Sequence, residues 1–191
     1  IAAETDYLRS DWVPHAVCLR IINWTRYVAM FGESLAPEFR NEINRFVYKN
    51  GAFLSNNVEH GVGGNHLIED AVALVIAGVY CDVETWQEQG RQILVRAANE
   101  QFFEDGGHLE RSPMYHALVL EGVLDVLNVL PDDRAAPPNL REAAQAMAGA
   151  LAGVTHPDGT LALFNDATHE IALPPERLLQ YARGVLGCAP S

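Results

Sequence analysis

The chain has 191 residues, 49% of them hydrophobic, a net charge of −12, and one lysine, Lys49, among its thirteen basic residues. That balance argues against a disordered segment and a general nucleic-acid-binding surface, and no apolar stretch approaches the roughly 18–20 residues of a membrane span. Cys18, Cys81 and Cys188 are odd in number and widely spaced, which speaks against a disulfide framework and a thiolate zinc site.

The opening residues IAAETDYLRSDW lack the basic and apolar regions of a signal peptide, so the chain is expected to be the interior of a longer gene product or a mature form. Helical periodicity then dominates, and the prediction is an all-α protein. A first helix over about 14–32 follows WVPHAVCLRIINW and carries Arg20 and Asn23 between two tryptophans; a second covers about 36–50. The glycine-rich stretch NNVEHGVGGNHLIED leads into a third at about 64–81, with Asn65 as the expected N-cap and His66, Glu69 and Asp70 in its first two turns. Its continuation AVALVIAGV is apolar all round and has to be covered on most sides. A more polar helix is expected over about 84–103 and contains Trp86.

The segment DGGHLERSPMYHALVLEG opens the next helix, about 113–130. Ser112 is the expected N-cap, Pro113 takes the first helical position, and Tyr115 and His116 fall in the first turn. The row ALVLEGVLDVLNVL that follows reads as another interior helix. PDDRAAPP, residues 131–138, is a turn-rich connection. A helix at about 139–155 has one apolar stripe formed by Ala143, Ala144, Met147, Ala150, Leu151 and Val154. The loop THPDGTLALFNDATH supplies His156, Asn165, Asp166 and His169 ahead of a last helix at about 174–186.

Amphipathic helices therefore alternate with nearly all-apolar ones, as expected for inner helices wrapped by outer ones in helical hairpins or an α/α toroid. If alternate helices are inner, their starts share one rim, where free amides and the helix dipole favour an anion even on an acidic protein. Each feature also has a structural reading: Asn65 as a cap, the tryptophans as core, Arg20 as partner of a buried carboxylate. His156 with Asp158, and Asp166 with His169, complete no metal-ligand set, so no metal is expected. Glu69, Asp70, Glu110 and Asp166 are available for a hydrolytic carboxylate pair, but spacing alone does not bring two of them together.

GNHLIEDAVALVIAG, with DGGHLERSPMYHALVLEGVLDVLN beginning about forty residues after it starts, closely resembles the helical domain of heparinase II/III-like polysaccharide lyases, a group that includes oligo-alginate lyases. LRIINW upstream and THPDGTLALFNDA downstream extend the resemblance over about residues 12–170. The resemblance implies an incomplete α/α toroid followed by a catalytic β-sandwich domain, with periplasmic or secreted localisation. No strand-rich region follows residue 170, so residues 1–191 are expected to form a single toroid-type domain, a fragment of a two-domain lyase lacking the sandwich and its histidine.

The implied chemistry is β-elimination on an acidic polysaccharide or oligosaccharide without a cofactor, leaving an unsaturated uronate end. By resemblance Asn65 and His66 neutralise the uronate carboxylate and Tyr115 serves as general acid, base or both, the last needing nearby positive charge such as Arg111 or His116. Arg20, Asn23, Glu69, Arg111 and His116 are the candidates for orienting the sugar. A helical carbohydrate-binding or scaffold module without the chemistry, and a glycoside hydrolase, are the competing readings.

Overall fold

The structure is a computed structural model and describes residues 12–130 and 136–187. Cys188 and most of the 131–138 connection lie outside the described residues. Seven α-helices are present among them: α1 (Pro14–Phe31), α2 (Pro37–Ser55), α3 (Gly64–Cys81), α4 (Glu84–Glu100), α5 (Pro113–Val129), α6 (Leu140–Gly153) and α7 (Pro175–Leu186). Among the described residues extended pairing is limited to two isolated bridges, Phe102 with His108 and Thr155 with Leu161. Prolines at the first positions of α1, α2, α5 and α7 set φ where no amide donor is needed.

Two compact units divide the chain between Arg91 and Gln92, inside α4. In the first, α1, α2 and α3 pack against one another. Helix α3 is the buried member: every residue from Asp70 to Gly78 is buried, as its nearly all-round apolar sequence requires. Each fully buried Leu, Ile or Val there contributes about 1.5–3 kcal/mol. Helix α2, expected to stop before Gly51, runs on to Ser55. Gly51 serves close approach there: a Cβ at this position would stand 2.6 Å from the Trp86 ring, which is itself buried. The start of α4 likewise presses Gly90 onto α3, where a Cβ would meet the Ala71 carbonyl oxygen at 2.5 Å.

In the second unit α5, α6 and α7 pack mutually, and α5 is buried along most of its length. The apolar stripe of α6 is rotated slightly from expectation, with Leu140, Ala144, Met147, Ala148 and Leu151 buried. Ala143 and Ala150 flank it, half-buried. A tight turn between α4 and α5 is seated on α6 through Gly106, whose φ of 82° and contact with the Ala146 carbonyl, 2.2 Å from a would-be Cβ, leave no room for a side chain.

Candidate functional site

Two polar clusters occupy the starts of the two buried helices, one in each unit. In the first unit the chain reaches α3 through Gly63 and Gly64, both at positive φ. Gly63 is the N-cap, correcting the expectation that Asn65 caps the helix. Two consecutive left-handed residues turn the backbone into the helix without a side-chain cap, which moves Asn65 into the first turn and frees its carboxamide for other partners.

Asn65 is 7% exposed, and its Nδ2 donates to Glu69 Oε1, one turn along, at 3.3 Å. Glu69 Oε2 in turn accepts from His15 Nδ1 at 2.7 Å. Beside them His66 Nδ1 donates to Glu59 Oε2 at 3.1 Å, and the rings of His15 and His66 are 5.4 Å apart. A carboxylate on each Nδ1 fixes the proton there and leaves both Nε2 atoms without a protein partner among the described residues. Asp70 is fully buried below this group, accepting from the Glu59 amide at 2.7 Å and the Cys18 thiol at 3.1 Å. Burial pushes the Asp70 carboxyl upward against the pull of these two donors, and pushes the Cys18 thiol well above its ordinary value.

Arg20 and Asn23 make no hydrogen bond to that cluster. Arg20 pairs with the Asn50 carboxamide at 3.3 Å, not with a carboxylate, and its guanidinium lies 5.5 Å from the Trp12 ring, which Lys49 also approaches at 4.8 Å. Asn23 is exposed on α1. Trp24 is edge-on to Tyr27, Phe39 and Phe46. His15 and Glu59 escaped the sequence reading. The traces they left were a histidine just after Pro14 at the start of α1 and a carboxylate in the loop before α3.

In the second unit Ser112 caps α5 as expected, its hydroxyl accepting from the Tyr115 amide at 3.4 Å. Tyr115 is half-buried, and among the described residues its hydroxyl makes no hydrogen bond. His116 is buried and donates from Nε2 to the Met147 carbonyl at 2.9 Å. Burial lowers its pKa despite that bond and the nearby Asp105, so the neutral ring supplies no positive charge for Tyr115. Arg111 is exposed, its guanidinium 5.9 Å from the Phe103 ring. Its backbone is left-handed, φ 53°, and Asn165 Nδ2 donates to the Arg111 carbonyl at 2.8 Å and the Glu110 carbonyl at 3.3 Å. Arg111, His108, His116, Phe103 and Phe164 line one cavity of about 400 Å³.

His108 is 2% exposed; Nε2 donates to Gln101 Oε1 at 3.2 Å, and Nδ1 is buried without a partner. A proton on Nδ1 would have no acceptor, and burial with the adjacent His116 lowers the pKa from 6.5 to about 4. Between these values the unfolded chain binds a proton that the folded one refuses. Stability is therefore full above pH about 6.5 and falls as pH drops toward 4, by up to about 3 kcal/mol from this residue. Urea midpoints measured across that range check the loss, and His108→Gln, which keeps the donor to Gln101 and cannot ionise, should flatten the curve.

Among the described residues no group of three or more His, Cys, Asp and Glu is placed to hold a metal ion. Asp158 instead closes its own turn, accepting from the Thr160 amide at 2.9 Å and hydroxyl at 2.7 Å. These bonds lower its carboxyl pKa.

The family described as Heparinase II/III N-terminus matches residues 2–183. The chain belongs to that family. This heparinase II/III N-terminus chain is 26% identical over 184 residues to a heparin-sulfate lyase of Bacteroides stercoris, covering 87% of its own length and 26% of that protein. It is 24% identical over 165 residues to a heparin-sulfate lyase of Pedobacter heparinus, covering 82% of itself and 25% of the relative. A crystal structure of heparinase III superposes on 91% of the chain and 28% of its own with a TM-score of 0.73 at 23% identity. The heparinase III BT4657 gene product gives 0.72 at 22% identity over 95% of this chain and 30% of its own. The helical fold is shared with these structures, and the chain spans about a quarter of the length of the two lyases.

Proposed function

We propose that this chain is one helical domain of a longer polysaccharide lyase that cleaves a uronic-acid-containing polysaccharide by β-elimination. The observation that carries the reading is membership of the heparinase II/III N-terminus family together with relatives named heparin-sulfate lyases. Sulfated glycosaminoglycans of that type are therefore the first substrates to try, ahead of alginate.

The chemistry explains the polar groups. The proton on the ring carbon beside an ionised carboxylate is too weakly acidic to be removed unless that carboxylate is neutralised as the enolate charge grows. Asn65 offers an amide N–H from a nearly buried position at the start of α3, where the helix dipole adds positive potential, and His66 sits next to it. Tyr115 carries a phenol with no competing partner among the described residues, suited to protonating the leaving glycosidic oxygen. Arg111 and Phe103 present a cation and an aromatic face to a sugar. The remaining catalytic groups are assigned to the rest of the longer protein.

Incubation of the full-length protein with heparan-type glycosaminoglycans, alginates and bacterial exopolysaccharides should release products with the ultraviolet absorbance of an unsaturated uronate. Saturable binding without that chromophore on any polymer would instead indicate a non-catalytic carbohydrate-binding module, and reducing ends without unsaturation would indicate hydrolysis.

A further inference from the structure

A carboxamide works as a carboxylate-binding group only if its amide end, not its oxygen, faces the substrate, and Asn can turn either way at little cost. Near a uronate the wrong orientation is repulsive. Something must therefore fix the Asn65 side chain before the substrate arrives.

The first unit contains such a device. Glu69 is four residues beyond Asn65, and its Oε1 accepts from Nδ2 at 3.3 Å, an arrangement possible only with the amide end turned toward it. Alone, a glutamate on the second turn of a helix would be a loose anchor, because its side chain has three rotatable bonds. Its other oxygen is held by His15 Nδ1 at 2.7 Å, from a different helix. That bond is short and spans the α1–α3 packing, so the carboxylate is clamped from both sides. His66 and Glu59 form a second imidazole–carboxylate pair beside this chain of contacts.

We infer that His15 and Glu69 are positioning residues for the elimination, a two-residue clamp that holds the Asn65 carboxamide with its amide end presented to the uronate. This rests on the lyase reading for its consequence, and on the hydrogen-bond chain for its geometry. The clamp also accounts for an acidic residue beside a site meant for an acidic sugar. One Glu69 oxygen is occupied by the amide and the other by the imidazole, which offset its charge toward the ligand.

His15→Leu in the full-length protein removes the donor, and kcat should fall about 10–100-fold with KM little changed, the cost of a misplaced catalytic group. His15→Asn places an amide N–H where Nδ1 stood and should restore kcat to within about threefold of wild type, since only the hydrogen bond is needed. Adding His15→Leu to Asn65→Ala should cost nothing further, because the clamp acts through the residue already removed. Wild-type kcat in His15→Leu, no rescue by His15→Asn, or additive losses in the double variant would each overturn the inference. If the wild-type protein cleaves no polymer, the lyase reading fails separately. The crystal structure of the full-length His15→Leu protein then decides the clamp: an Asn65 carboxamide turned off Glu69 supports it, and one unmoved overturns it.

Discussion

Tyr115→Phe in the full-length protein is expected to lower the elimination rate by about 10²–10⁴-fold, the contribution of a positioned general acid. The phenol loses only its oxygen in this change. Among the described residues that oxygen makes no hydrogen bond, so no buried partner is orphaned. The ring stays half-buried on the first turn of α5, and the Ser112 cap bonds the backbone amide, not the side chain. Unfolding midpoints should therefore stay within about 0.5 kcal/mol of wild type. Initial rates of double-bond absorbance on the best substrate, read alongside circular-dichroism melts, make the comparison. A variant that retains most of the rate would remove Tyr115 from the chemistry and favour a binding module.

The second large effect belongs to Asn65. Asn65→Ala should reduce kcat by about 10²–10³-fold, the loss typical when one donor aimed at developing negative charge is removed. KM should change far less, because the bond strengthens as the ring carbon loses its proton and does most of its work in the transition state. Removing the carboxamide leaves Glu69 still bonded to His15, so this carboxylate is not orphaned by the change. A matched rise in KM with kcat preserved would show that Asn65 merely holds the polymer.

Much of the fold was legible because these helices are long and their apolar patterns strong. The interior character of α3 and α5 follows from segments with no polar face, and their burial agrees. Boundaries failed where a glycine had a tertiary task. Gly51 reads as a stop, yet it admits the Trp86 ring in mid-helix. The same limit applies to the cap of α3, since Asn65 has the composition of an N-cap and only the left-handed turn at Gly63 and Gly64 shows that the helix starts earlier. Of the candidate groups, those on α3 and α5 stand out in the sequence because they cluster within single turns. His15 does not, because its link to Glu69 spans 54 positions and arises from the packing of α1 on α3. Arg20 illustrates the converse: a residue type suited to acidic sugars, placed instead on Asn50 and Trp12.

The tether from Asn165 to the carbonyls of Glu110 and Arg111 ties two loops separated by more than fifty positions into one lip of the cavity. Arg111 there holds a backbone conformation that costs a non-glycine residue about 1 kcal/mol, and Asn165 stands in the same left-handed region. Drift in either loop is consequently felt by the other. A graft that replaced only one of the two segments would release the Arg111 backbone from its tether.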